Sequence, residues 1–201
     1  MRAGVLIPVK AFSAAKRRLS EVLDADQRAA LSRWMAERVA AAAGSLPVFV
    51  VCDHEDVRSW ATSIGATALW TPSLGLNAAV GSGVAQLAGQ GFDRVVVAHS
   101  DLPLATSLER FAGFDGVTLV ADGKRDGTNV LAMPAALAFE FHYGAGSFKA
   151  HLHEAHLLGS ELHVEHDDAL ALDVDTPADL ADPRIQEIVP LWAQTSQASQ
   201  R

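Results

Sequence analysis

The chain has 201 residues, enough for one domain with a full core, and 49% hydrophobic against 20% charged residues excludes a disordered chain. A formal net charge of -8 at pH 7 speaks against non-specific DNA or RNA binding, which needs a basic surface, yet leaves room for a small anion in a locally positive pocket. One cysteine excludes an internal disulfide, no apolar run is long enough to span a bilayer, and the short apolar start reads as a strand rather than a signal peptide, so a soluble cytoplasmic protein is expected.

In chain order, Gly4 to Pro8 reads as a short buried strand. A loop from Val9 to Ser13 feeds a basic helix expected over Ala14 to Leu23. Asp24 or Asp26 can cap the next helix, Gln27 to Ala43, with Gly44 as its stop. Pro47 to Cys52 is a second strand, which makes Cys52 a buried residue rather than a catalytic thiol. Asp53 is the expected cap of a helix over His54 to Ser63, followed by a strand at Ala66 to Trp70. The loop Thr71 to Asn77 then leads into a helix over Ala78 to Ala88.

Three valines, Val95 to Val97, suit a strand buried on both faces, as in the middle of a parallel sheet. A short helix is expected near Ser107 to Phe111. Strands at Val117 to Ala121 and Val130 to Met133 flank the loop Asp122 to Asn129. A helix over Ser147 to Leu158, strands at Glu161 to Glu165 and Leu170 to Asp173, and a helix from Pro177 complete the pattern. The alternation predicts an α/β fold, a mostly parallel sheet with helices on both faces, in one domain over residues 1–193 with a polar tail at 194–201.

The chemistry is expected where strands end. Asp101 follows the valine strand, and Pro103 forces the chain out of the sheet there. In open α/β sheets that carboxyl edge is where ligands bind. The run Leu170 to Pro177 repeats the theme with Asp173 and Asp175. Two residues apart in an extended segment, these side chains point the same way. Three carboxylates brought together repel unless a cation sits between them, and Mg²⁺ is the usual one. Helix capping by Asp175 is the plainer alternative.

Lys10, Lys16 and Arg18 stand on a strand, loop and helix start, a natural triphosphate cradle, though a solvated basic helix face fits as well. Gly75 and Asn77 suit close approach to a nucleobase, but Asn77 also suits a helix cap. Thr128, with a hydroxyl and a backbone N–H to offer, closes a loop that by itself reads first as a plain surface hairpin. Gly144 to Ser147 can aim N–H groups and a hydroxyl at a phosphate or carboxylate, unless Ser147 merely caps its own helix. The histidines from His151 to His166 lack zinc-protease spacing and read as surface residues.

The ordered set Ile7-Pro8-Val9-Lys10, Lys16, Arg18-Leu19, Gly75-Leu76-Asn77, Asp101-Leu102-Pro103, Gly127-Thr128-Asn129, Tyr143 to Phe148 and Asp173 to Pro177 resembles the 2-phospho-L-lactate and phosphoenolpyruvate guanylyltransferases of coenzyme F420 biosynthesis. The resemblance implies a three-layer α/β/α sandwich of the nucleotidyltransferase type. It implies transfer of GMP from GTP onto the phosphate of a three-carbon acid, with release of pyrophosphate. By position it implies Thr128, Gly144 and Ser147 as acceptor contacts, and Asp101, Asp173 and Asp175 as Mg²⁺ ligands. Lys16, with Lys10 and Arg18 in the first loop, would hold the GTP phosphates, and Gly75 and Asn77 would lie near guanine. Lys16 and Asp101 are the expected catalytic pair. His99-Ser100, ahead of Asp101, departs from the smaller or apolar residues expected there. A different acceptor (3-phosphoglycerate, a sugar phosphate or molybdopterin) and a non-catalytic nucleotide-binding protein are the competing readings. Oligomeric state stays open, a homodimer being one arrangement.

Overall fold

A computed structural model describes residues 1–194; the expected polar tail, from residue 195 on, lies outside the described residues. Among the described residues seven strands form one sheet: β1 (Ala3–Pro8), β2 (Val48–Cys52), β3 (Thr67–Trp70), β4 (Arg94–Ala98), β5 (Val117–Ala121), β6 (Thr128–Pro134) and β7 (Leu162–Glu165). Their order is β3-β2-β1-β4-β6-β5-β7. Every pairing is parallel except the two made by β6, which runs antiparallel to both β4 and β5. The mostly parallel α/β expectation therefore holds.

Side-chain alternation along the strands builds the layers. From β1, Val5 and Ile7 join one core with Val96 and Ala98 of β4. Helices α1 (Ala25–Ala41) and α2 (Glu55–Ser63) cover that face through Val39 and Trp60. Leu6, Val95 and Val97 point to the opposite face, under α3 (Leu76–Gly89) and α4 (Ser147–Leu157). The segment carrying α5 (Pro177–Leu180) and α6 (Pro183–Gln186) packs Leu180 and Ile185 against Leu31 and Met35 of α1. Among the described residues no helix is long and apolar enough to cross a membrane.

Three local departures from expectation matter for the site. The basic stretch is not a helix over 14–23 but two 3-10 turns, Phe12–Ala14 and Arg17–Leu19. Lys16 between them has φ +52°, a left-handed conformation that interrupts any helix and is uncommon for a residue with a Cβ. Leu170–Asp173 is no strand either. The Asp167 carboxylate accepts from the N–H groups of Ala169 and Leu170 and so turns the chain locally. Finally, the caps fall elsewhere. Asp24 caps α1 in a reciprocal capping box with Gln27, but His54 rather than Asp53 stands at the start of α2, and Gly75 rather than Asn77 at the start of α3.

Candidate active site

A cleft of about 730 Å³ opens at the carboxyl edge of β1, β2 and β4. Its wall includes Lys10, Lys16, Gly75, His99, Asp101 and Asp175. Residues scattered over more than 160 positions meet there because parallel strands deliver their carboxyl ends to one edge.

Lys16 is the hub. Its Nζ lies 2.7 Å from Asp101 Oδ2 and 2.7 Å from Asp175 Oδ1, and its side chain is 9% exposed. The left-handed backbone at Lys16 is what turns the side chain inward, away from the exposed Arg17 and Arg18. Burial opposes charge on this lysine, but the two carboxylates outweigh it and hold its pKa above the ordinary value. Burial likewise opposes charge on Asp101, and Lys16 outweighs it, so the carboxylate stays below its usual range.

Asp101, Asp173 and Asp175 each offer an oxygen within 4.8 Å of the others. Val174 N–H donates to the Asp101 carbonyl at 3.1 Å, which pins the 173–175 segment beside the end of β4. Burial, then the charge of Asp101, pushes Asp173 up to about 6. Asp101 Oδ1 is buried with no hydrogen-bond partner. An all-oxygen donor set, one carboxylate strained by its neighbours and one orphaned oxygen fit a hard divalent cation. Helix capping does not account for Asp175, since Thr176 caps α5.

The acceptor residues of the expectation form a second group. Thr128 opens β6 and is buried; because β6 is antiparallel, its first residue reaches the edge where β4 ends. The Thr128 N–H donates to Ser147 Oγ at 3.0 Å, so the serine bonds across to β6 instead of capping its helix. Gly146 stands at the start of α4 and, like Gly144, has positive φ. Gly144 is exposed. Asn77 does not offer its amide to a base. Its Oδ1 accepts from Tyr143 N–H at 2.6 Å, and its Nδ2 donates to the Tyr143 carbonyl at 3.3 Å. Arg18 is exposed and outside the cleft wall.

The expectation that all the histidines lie on the surface fails at His151, which is fully buried. Its Nε2 accepts from the His142 N–H at 2.9 Å, which leaves Nδ1 protonated to donate to Thr128 Oγ1 at 3.0 Å. Burial, helped by His142, pushes its pKa down to about 4. The packing of His99, a wall residue of the cleft, on the buried Tyr143 was not foreseen either. The signal was in the spacing, since His99 stands two residues before Asp101 and shares its side of an extended segment.

Residues 3–186 match the family described as guanylyl transferase CofC like. The chain belongs to that family. Among relatives of the CofC-like guanylyl transferases, the phosphoenolpyruvate guanylyltransferase of Rubrobacter xylanophilus is 35% identical over 185 residues, covering 88% of this chain and 90% of that protein. The 2-phospho-L-lactate guanylyltransferase of Methanothermobacter thermautotrophicus is 34% identical over 192 residues, covering 90% and 84%. A solved structure from Desulfovibrio desulfuricans G20, assigned to the nucleotide-diphospho-sugar transferases, superposes with a TM-score of 0.75 at 17% identity, covering 98% of this chain and 92% of that one. A cytidylyltransferase from Leptospira borgpetersenii gives 0.60 at 16% identity, covering 90% and 84%. These two likenesses establish the nucleotidyltransferase fold, which the CofC-like chain shares.

Proposed function

We propose that this guanylyltransferase moves GMP from GTP onto the phosphate of phosphoenolpyruvate or 2-phospho-L-lactate, with release of pyrophosphate, in coenzyme F420 biosynthesis. The observation that carries the proposal is the meeting of Lys16 with Asp101 and Asp175 in a cleft also lined by Lys10 and Gly75. The names of the relatives supply the acceptor class.

The reaction forms a bond between an acceptor phosphate oxygen and the α-phosphorus of GTP. It breaks the bond from that phosphorus to the bridging oxygen of the leaving pyrophosphate. The attacking oxygen is already ionised at neutral pH, so no general base is needed. Burial holds His99, the histidine of the cleft wall, below its ordinary pKa and so makes it a weak proton acceptor. What remains is alignment and charge neutralisation. Lys16 and Lys10 neutralise triphosphate charge from the cleft wall. Thr128, Ser147 and the Gly144 turn hold the acceptor opposite, as a rigid group cross-linked by hydrogen bonds. Asp101, Asp173 and Asp175 would hold Mg²⁺, which when bound screens phosphate charge and polarises the phosphoryl oxygens.

The test is mass spectrometry of the products from GTP, Mg²⁺ and each three-carbon phospho-acid, with pyrophosphate release measured in parallel. A guanylylated phospho-acid together with pyrophosphate is the expected result. GTP binding without pyrophosphate release from any acceptor would leave a binding protein on a nucleotidyltransferase fold.

A further inference from the structure

Buried polar atoms without partners are rare in folded proteins, and each calls for a reason. Besides Asp101 Oδ1, two of those found among the described residues are His99 Nε2 and Tyr143 Oη. Their rings pack on one another, with centroids 5.0 Å apart. They come from distant parts of the chain. His99 is a wall residue of the cleft, two positions ahead of Asp101. Tyr143 immediately precedes the Gly144 turn that leads to Ser147.

Both rings are held in place by their backbones. The His99 N–H donates to the Asn129 carbonyl at 3.0 Å, and Asn77 bonds both backbone polar groups of Tyr143. The His151 ring meets the Tyr143 ring at 75° with centroids 4.8 Å apart, and Phe141 stacks on Tyr143 with centroids 6.0 Å apart. A tyrosine hydroxyl and an imidazole nitrogen fixed this firmly, and left unpaired, are prepared for a group that arrives from outside. A residue that only filled space here would carry no polar tip: Phe would pack as Tyr does, and Leu as His.

We infer that His99 and Tyr143 form a carboxylate subsite that selects phospho-acids over simple phosphate esters, with His99 Nε2–H and Tyr143 Oη–H donating to the acceptor's carboxylate. The assignment rests on the proposed phospho-acid reaction. It gives the acid group of that acceptor a place between the Asp101 cluster and the Gly144 to Ser147 turn. It also gives a reason for the polar residue at position 99. Carboxylates accept from two such donors at once, and hydrogen bonds to a charged acceptor are stronger than neutral ones.

The experiment compares each phospho-acid with its carboxylate-free counterpart, vinyl phosphate for phosphoenolpyruvate and ethyl phosphate for 2-phospho-L-lactate. Wild type, Tyr143→Phe, His99→Leu and His99→Gln are assayed for turnover, and binding of the same acceptors is measured by calorimetry. Tyr143→Phe and His99→Leu are expected to raise the KM for the phospho-acid about tenfold or more. The loss for the carboxylate-free ester is expected to be much smaller than for the phospho-acid, in both variants. His99→Gln, which keeps an N–H donor, recovers part of the loss. If wild type turns over phospho-acids but the variants discriminate as it does, the subsite is overturned while the proposed reaction stands. Equal losses for GTP and both acceptors mean that the pair is structural, which also overturns it. If wild type neither turns over nor binds any phospho-acid, both the reaction and the subsite fall.

Discussion

Asn77, in the first turn of α3, grips Tyr143 by both its backbone N–H and its carbonyl, across 66 residues of chain. An asparagine amide carries the same donor and acceptor as a peptide unit, so it closes this pair as a strand neighbour would. The start of α3, which borders the cleft through Gly75 and Leu76, is thereby latched to the turn that leads to Ser147.

The latch predicts a specific phenotype. Asn77→Ala frees the Tyr143 backbone and is expected to raise the acceptor KM about tenfold, because misplacement of a positioned group is costly. Preference for GTP over ATP should persist. Steady-state kinetics with both nucleotides and a varied acceptor checks this. A collapse of base preference at unchanged acceptor KM would return Asn77 to base reading.

Lys16 and Asp101 should each be indispensable. Asp101→Asn and Lys16→Met are expected to lower turnover by about 100- to 1,000-fold, the usual scale for losing one preorganised electrostatic contact. Pyrophosphate release reads this directly, with circular dichroism to check that the fold is intact. Lys16→Met also leaves Asp101 and Asp175 facing one another without their shared ammonium. Mg²⁺ should therefore raise the Tm of this variant more than that of wild type, measured in a thermal melt across a Mg²⁺ titration.

His151 links stability to pH. Its pKa is pushed from 6.5 down to about 4 in the folded protein, so the folded state favours the neutral ring. The contribution is intact above pH 6.5 and is lost as pH falls toward 4, where the unfolded chain binds a proton that the folded chain resists. A shift of this size amounts to about 3 kcal/mol at the acid end of the window. Denaturant melts between pH 4 and 7.5 should show a shallower pH slope for His151→Phe than for wild type. At pH 7.5 the same variant should be less stable, since Thr128 Oγ1 and the His142 N–H lose their partner.

Gly116, just before β5, tests the sheet edge. Its φ is +60°, and an added Cβ would sit 2.1 Å from the Glu161 carbonyl oxygen, which accepts the Val117 N–H. Gly116→Ala is expected to cost at least about 2 kcal/mol through left-handed strain and backbone clash. In a chain of this length that lowers Tm by about 4–8 °C. An unchanged melt would mean that the β5 and β7 junction can shift to accommodate it.

Much of this arrangement was legible in the sequence, and the failures share a physical cause. Val95 to Val97 announced a central strand because burial on both faces needs an unbroken apolar run. Asp101, Asp173 and Asp175 were expected together and are together. Leu170 to Asp173 also looked like a strand, yet the Asp167 carboxylate ties that backbone into a turn, a tertiary detail that apolar periodicity does not encode. The basic helix at 14–23 was wrong because Lys16 is drawn to two carboxylates 85 and 159 residues away, and the chain takes an uncommon φ to reach them. His151 was misread since its neighbours His153 and His156 are exposed, and only the fold reveals which side of α4 faces Thr128. The amide of Asn77 looked free because its partner, Tyr143, is 66 residues distant.

The reversed direction of β6 has a consequence for how this enzyme family can diversify. Parallel strands bring their trailing ends to the working edge, whereas β6 brings its leading end, so Thr128 arrives with its own loop and its own following helix. In the proposed reaction, the residues assigned to the nucleotide hang on one set of strands and those assigned to the second substrate on another. If that proposed division holds, substitutions within 122–151 would retune what is guanylylated while the strands that carry Lys16 and Asp101 keep their geometry, a division of labour written into strand polarity.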